Sequence, residues 1–129
     1  MDENVSIAPK AIDDKLRLLG RWMEDKKGLD IRLLDVSRMS SFFEGVVLVT
    51  ARNVRQARTM ADNLLQMLKD NNLEYLGMEG YRPGDWVLID LNDVIVHIFL
   101  EDTRSFYNLE GFWSRARVVE FGPGGGHGE

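Results

Sequence analysis

The stretch Val46-Val47-Leu48-Val49-Thr50 decides the fold, because it is rich in β-branched residues and shows no polar alternation. Such a run is typical of a strand that is covered on both faces. Asn53 and Gln56 then form a plausible capping box. Apolar residues recur at helical spacing after it, at Val54, Ala57, Ala61, Leu64 and Leu68. With a short strand near residues 76–78, this predicts a right-handed strand–helix–strand crossover.

The segments on either side extend this unit. Upstream, an apolar stripe predicts a helix that starts at Pro9 and ends at Gly28, and a strand covers residues 31–36. Downstream, residues 86–90 and 94–100 predict an antiparallel hairpin. A last short helix, capped by Asp102 or Thr103, carries the aromatic residues that follow. The prediction is an α/β fold with a single mixed β-sheet of about five strands and helices packed on it.

Composition predicts one domain and restricts its chemistry. The 129 residues, 44% of them hydrophobic, suffice for a single core. We expect a flexible lead over residues 1–8, the α/β domain over 9–121 and a disordered glycine-rich tail over 122–129. The chain has no cysteine, no signal peptide and no apolar run that spans a membrane. These features favour the cytoplasm.

The distribution of charge points to a basic partner. The net charge is −5, and residues 62–102 contain nine acidic residues against two basic ones. A protein that follows a nucleic-acid backbone over a large surface needs a basic stripe, and most of this chain has the opposite. An acidic region is instead attracted to a basic surface.

Two groups of residues admit a catalytic interpretation. Asp90 and Asp93 bracket a turn, but two-metal chemistry on a strand uses Asp-x-Asp spacing, in which both carboxylates point to one face. We therefore predict no metal site and no catalytic residue, and an active Mg²⁺-dependent nucleotidyltransferase stays the alternative. His97 lies in an apolar strand without a second ligand at metal-like spacing, which favours a structural role.

Three arginines give a third interpretation. Arg52, Arg55 and Arg58 are spaced three apart at the start of the second helix and share one of its faces. A solvated helix face is the default for such a pattern. The alternative is a contact with RNA phosphates, although no aromatic residues interleave them to stack on bases.

The aromatic residues suggest a binding surface. Trp86 stands at a junction between a loop and a strand, beside Asp85. Tryptophan often anchors protein interfaces, because its large ring buries apolar area while the indole N–H still finds an acceptor. Tyr107 and Trp113 on the last helix pack either internally or between protomers. The sequence therefore leaves open whether the free protein forms a homodimer.

An ordered set of short motifs carries a family resemblance. They are Leu34-Asp35-Val36, Ser40-Ser41, Met60-Ala61-Asp62, Gly77-Met78-Glu79-Gly80, Asp85-Trp86, Asp90-Leu91, Asp93-Val94-Ile95-Val96-His97, Arg104, Tyr107, Leu109-Glu110 and Trp113. In this order and with these gaps the chain resembles the ribosomal silencing factors, the RsfS or Iojap family. The resemblance covers about residues 10–113.

The resemblance implies a fold and a function. Family members are similar to nucleotidyltransferases in fold but degenerate, without the catalytic signature and without a cofactor. They bind the fourteenth protein of the large ribosomal subunit and block joining of the small subunit, which represses translation in starvation or stationary phase. Organellar relatives act in ribosome assembly. Carried over by motif, Trp86, Asp90 and Leu91 form the docking surface, with Asp85 and Asp93 as charged support.

The chain departs from the family at two places. It has Glu44 where the family often has an aspartate after the double serine, and it differs at one loop. The family often has Thr-Gly-Thr-Ser-Ser-Arg where this chain reads Thr50-Ala51-Arg52-Asn53-Val54-Arg55. This difference weakens any small-ligand or phosphate role for the loop. It leaves the arginines as this protein's own addition.

Overall fold

The computed structural model describes residues 11–121, so the predicted lead and glycine-rich tail lie outside the described residues. The helices are α1 (Ala11–Asp25), α2 (Val54–Asp70), α3 (Glu101–Tyr107) and α4 (Leu109–Phe112). The strands are β1 (Leu29–Asp35), β2 (Gly45–Ala51), β3 (Gly77–Glu79), β4 (Trp86–Asp90), β5 (Val94–Leu100) and β6 (Arg117–Val118). Within these residues no helix is both long and apolar enough to cross a bilayer.

The six strands form one mixed sheet in the order β3-β4-β5-β2-β1-β6. β2 and β5 are parallel, and every other pair is antiparallel. The predicted α/β class with a single mixed sheet is confirmed. The prediction of about five strands missed β6, whose two residues pair with the end of β1. The crossover through α2 places β3 beyond two intervening strands, at the far edge of the sheet.

The main core lies between α1, α2 and one face of the sheet. All seven residues of β2 are buried, as its uniform apolar run predicts. Alternate side chains point to opposite faces of a strand, so Val47 and Val49 enter the helix-side core while Val46 and Leu48 enter a second cluster. Each such side chain contributes about 1.5–3 kcal/mol of burial energy.

Helix α2 begins at the predicted cap. Asn53 Oδ1 accepts a hydrogen bond from the Gln56 backbone N–H at 2.8 Å. The Gln56 side chain accepts from the Arg52 N–H, and its amide donates to the carbonyls of Lys26 and Lys27 at 3.1 and 3.2 Å. Gln56 therefore also ties the start of α2 to the end of α1, which a local capping pattern does not predict.

The end of the chain forms two short helices, so the prediction of one last helix is wrong. Asn108 interrupts it with φ 50° and ψ 57°, a left-handed conformation that asparagine tolerates better than most residues. Its side chain accepts from the Gly111 N–H and starts α4. The predicted caps are also wrong: α3 begins directly after β5 without a side-chain cap. Together α3 and α4 lie over the second face of the sheet.

Candidate docking surface

The face of the sheet opposite α1 and α2 is covered only in part. Residues paired across neighbouring strands point to the same side, so the register defines what this face presents. One row runs Glu79, Leu88, His97, Leu48 across β3, β4, β5 and β2. The adjacent row contains Asp90 and Ile95. We call this surface the open face.

An apolar depression of about 280 Å³ lies on the open face. We call it the aromatic groove. It is lined by Phe43, Trp86, Leu88, Ile95, His97, Leu109, Phe112 and Trp113. Phe112 is 69% exposed. Of the lining side chains only those of tryptophan and histidine have polar atoms, which makes this exposed apolar groove a candidate interaction site.

Trp86 forms one wall of the groove and is held there by its neighbours. Its indole Nε1–H donates to His97 Nδ1 at 3.0 Å, and its ring lies 5.1 Å from the Phe99 ring and 4.7 Å from the Tyr107 ring. The preceding turn requires Gly80, which has φ 83°, because a Cβ there would collide with the Trp86 carbonyl oxygen. Trp86 is half-buried, so it serves both packing and the groove.

Arg104 fixes the other wall of the groove. Its side chain is 6% exposed, and its guanidinium forms a bidentate pair with Glu110, with Nε–Oε1 at 3.2 Å and Nη2–Oε2 at 2.7 Å. Nη1 donates to Thr50 Oγ1 at 2.8 Å. The hydrogen bonds from Arg104 lower the pKa of Glu110. Because the pair joins α3 to the start of α4 on top of β2, it positions Phe112 at the groove.

The structure corrects the docking role of Leu91. Its side chain is 0% exposed and belongs to the core beneath α1 and α2. The Leu91 N–H donates to the Val94 carbonyl at 2.9 Å, which closes the turn with the side chain inward. A residue buried on the helix side of the sheet cannot contact a partner on the open face, so the prediction of Leu91 as an anchor is wrong.

The predicted acidic residues have different surroundings. Asp85 is exposed, and Asp90 lies on the open face beside Ile95 while its Oδ1 accepts from the Asn92 N–H at 2.8 Å. Asp93 instead pairs with Lys15 Nζ of α1 at 2.7 Å. Asp93 therefore ties the hairpin to α1. Glu79 was not predicted as a site residue, but its side chain is exposed and it lies on the open face.

The surroundings of Asp90 and Asp93 also bear on the alternative of a Mg²⁺-dependent nucleotidyltransferase. Asp90 and Asp93 each hold a different partner inside the chain, one in a turn and one in an ion pair. Between residues 11 and 121 no group of three or more histidine, aspartate or glutamate side chains is arranged to hold a metal ion. The carboxylate spacing across the turn therefore gives no obvious pair of metal ligands.

The three arginines do not act as one group. Arg58 Nε donates to the Tyr81 carbonyl at 3.0 Å, its Nη2 donates to the Arg82 carbonyl, and its guanidinium lies 5.9 Å from the centre of the Tyr81 ring. Arg58 thus holds the loop before β4. Of the three arginines, Arg52 and Arg55 have exposed side chains.

A second, more voluminous cavity lies beside the start of α1. It has a volume of about 590 Å³, and charged residues line it. Arg117 Nη2 bridges Asp13 at 2.5 Å and Asp35 at 2.8 Å across this region. These three charges therefore pair with one another. The aromatic groove, although smaller, is the stronger candidate.

His97 makes stability depend on pH. Burial lowers the pKa of His97 to about 4, against about 6.5 in an unfolded chain. Between these values the unfolded chain binds more protons, so the free energy of unfolding falls as pH falls. We expect wild type to lose about 2 kcal/mol between pH 7 and pH 5 in urea unfolding. The His97→Gln variant is expected not to show this loss of about 2 kcal/mol. An equal pH dependence of the free energy of unfolding in both proteins would contradict its assignment to His97.

This fold defines a small α/β domain with a single mixed sheet, one face of which is covered only in part. The family model described as ribosomal silencing factor during starvation, RsfS, matches residues 9–125. The chain belongs to the ribosomal silencing factor family, which confirms the resemblance that the sequence motifs indicate. A ribosomal silencing factor from Chromobacterium violaceum is 37% identical over 91 residues, which are 70% of this chain and 75% of the relative.

More distant relatives and a solved structure agree with this membership. The chloroplastic Iojap protein of Zea mays is 30% identical over 79% of this chain and 44% of its own length. A Mus musculus protein, named mitochondrial assembly of ribosomal large subunit protein 1, is 25% identical over 75% of this chain and 44% of its own length. A crystal structure from Chromobacterium violaceum has a TM-score of 0.73 at 34% identity, covering 88% of this chain and 92% of that one.

Proposed function

We propose that the chain binds the large ribosomal subunit through the aromatic groove, with the fourteenth protein of that subunit as its direct partner. The observation that carries the proposal is an exposed apolar groove, with Phe112 69% exposed, in a member of the ribosomal silencing factors. Large aromatic side chains in a desolvated pocket supply most of the binding energy of typical interfaces. Trp86 and Phe112 are the anchors of this proposal.

Charge complementarity supports a ribosomal protein as the occupant. Glu79 and Asp90 lie on the open face beside the groove, and the exposed Asp85 precedes β4. A protein that packs on ribosomal RNA needs basic side chains to neutralise phosphates. Opposite charges at the rim of an interface accelerate encounter and fix its orientation.

The proposed mechanism is steric and involves no catalysis and no cofactor. The bound domain occupies the surface where the small subunit joins, in the cytoplasm of a bacterial cell, and translation falls when nutrients are scarce. The family description, which names silencing during starvation, supports this regulatory role. The name of the mouse relative refers to the large subunit and supports that subunit as the partner.

Subunit joining measured by light scattering tests the proposed function. Purified chain in excess over separated large subunits is expected to slow formation of the complete ribosome when small subunits are added. Unchanged joining in the presence of the chain would contradict the proposal. In parallel, labelled nucleotide with Mg²⁺ tests the enzyme alternative, for which we expect no turnover.

A second copy of the chain is the other occupant that the groove fits. We propose that the free protein pairs through the open face, since pairing would cover Phe112 and its aromatic neighbours. Dimer and ribosomal complex would then exclude each other. Addition of the fourteenth ribosomal protein to a dimer in sedimentation analysis is expected to yield a one-to-one complex.

We also propose a minor contact of Arg52 and Arg55 with ribosomal RNA, because both side chains are exposed near the two lysines that follow α1. The double variant Arg52→Ala, Arg55→Ala is expected to reduce the salt slope of binding to large subunits by about 2, since each phosphate contact contributes about 0.9. Arg38→Ala with Arg115→Ala, two exposed arginines elsewhere, is the control. An unchanged slope in the first variant would exclude the contact.

A further inference from the structure

His97 is the one deeply buried polar side chain of the aromatic groove. It lies in the middle of β5, flanked on the open face by Leu88 of β4 and Leu48 of β2. The residue is only 7% exposed and lines the groove. Its ring is nearly parallel to that of Phe99, with centroids 5.7 Å apart. The imidazole therefore has a fixed position.

The hydrogen bond from Trp86 determines which nitrogen of His97 carries the proton. An indole N–H donates and never accepts, so His97 Nδ1, which receives it at 3.0 Å, has no hydrogen. In a neutral imidazole the hydrogen then resides on Nε2. Among residues 11–121 no atom accepts a hydrogen bond from Nε2. The groove thus contains one donor that the described chain leaves unpaired.

An unpaired donor has a consequence once a partner covers the groove. An apolar segment that fills the groove would leave this buried donor without an acceptor. Such a donor costs binding energy, whereas a matched acceptor recovers it. The acidic residues Glu79 and Asp90 on the same face disfavour a carboxylate as that acceptor.

We propose that His97 determines the specificity of the aromatic groove by requiring a neutral oxygen acceptor, a backbone carbonyl or an amide oxygen, beside an apolar side chain of the bound segment. The inference rests on the proposed function, because the segment belongs to the ribosomal partner. It adds the chemistry by which the groove distinguishes that segment from other apolar surfaces. Trp86 is then a positioning residue for His97 as well as an anchor.

Two substitutions at one position separate hydrogen bonding from packing. Glutamine provides an oxygen that accepts from Trp86 and an amide that donates into the groove, whereas phenylalanine fills the space without either function. Binding of the isolated fourteenth ribosomal protein is expected to weaken at least ~10-fold in His97→Phe. In His97→Gln it is expected to change by less than about threefold. Equal affinities of His97→Phe and wild type would overturn the inference.

Nitrogen NMR of the wild-type imidazole provides a readout that does not depend on any variant's folding. In the free chain we expect Nδ1 without hydrogen and an Nε2–H that exchanges rapidly with water. Addition of the fourteenth ribosomal protein is expected to protect this hydrogen from exchange and shift it downfield. A hydrogen on Nδ1, or unchanged exchange in the complex, would overturn the inference. Failure of wild type to bind at all would instead overturn the proposed function.

Discussion

The Phe112→Asp variant is expected to lose more than about 100-fold in affinity for the large ribosomal subunit while it stays folded. Phe112 is 69% exposed and lies on the four-residue helix α4, so the free chain tolerates a polar side chain there. In the proposed complex the same position enters the desolvated centre of the interface. An unpaired carboxylate buried there costs several kcal/mol in addition to the lost aromatic contact.

Met39→Asp is the matched control for this variant. Met39 is 40% exposed and lines the cavity beside the start of α1 rather than the groove. The substitution makes the same change of charge at another exposed apolar side chain. Co-sedimentation with purified large subunits is expected to show wild-type binding for Met39→Asp and none for Phe112→Asp. Equal binding by both variants would show that the groove is not part of the interface.

The Leu91→Ala variant is expected to lose about 2–5 kcal/mol in the free energy of unfolding, since it leaves a cavity in a packed core. Leu91 is 0% exposed and packs in the cluster between the helices and the sheet. Urea unfolding measures the loss. Under conditions in which the variant is folded, its affinity for large subunits is expected to equal that of wild type.

An exposed leucine provides the comparison for this stability effect. Leu76, which precedes β3, is 55% exposed, so Leu76→Ala is expected to change stability by no more than about 0.5 kcal/mol. A Leu91→Ala protein of unchanged stability but weakened ribosome binding would show that Leu91 contacts the partner. That result would support the motif-based prediction that Leu91 is an anchor, and it would contradict the buried position of its side chain.

Local patterns predicted the elements whose signals are local. The uniform apolar run of β2, the Asn53–Gln56 cap and the hairpin of β4 and β5 depend on neighbours within a few residues, and each agrees with the structure. By contrast, β6 exists only through its pairing with β1. The break at Asn108 depends on one left-handed residue. Neither feature has a periodic pattern from which sequence analysis could identify it.

The site was predicted less completely because its residues meet only after folding. Trp86 was identified by its residue type, but the groove joins it to Phe43 from one loop and to Phe112 from α4. Leu91 was assigned to the surface by its position in the Asp90-Leu91 motif of the family resemblance, and the turn instead directs its side chain inward. Sequence position alone does not reveal which side of a turn faces the core.

Charged residues show the same limit. Arg58 was predicted to lie on a solvated helix face or to contact RNA, yet it binds the carbonyls of the loop before β4. Asp93 was predicted as charged support for docking, yet it pairs with Lys15. Their partners lie 23 and 78 positions away in the sequence. The presence of a charge is visible in a sequence, whereas its distant partner depends on the packing of α1 and α2 against the sheet.

Photochemical cross-linking from the groove tests the location of the interface most directly. A benzoylphenylalanine side chain in place of Phe112, irradiated in the presence of purified large subunits, is expected to capture the fourteenth ribosomal protein. The same side chain in place of Met39 is expected to capture nothing. Capture from position 39 with none from position 112 would contradict docking through the aromatic groove.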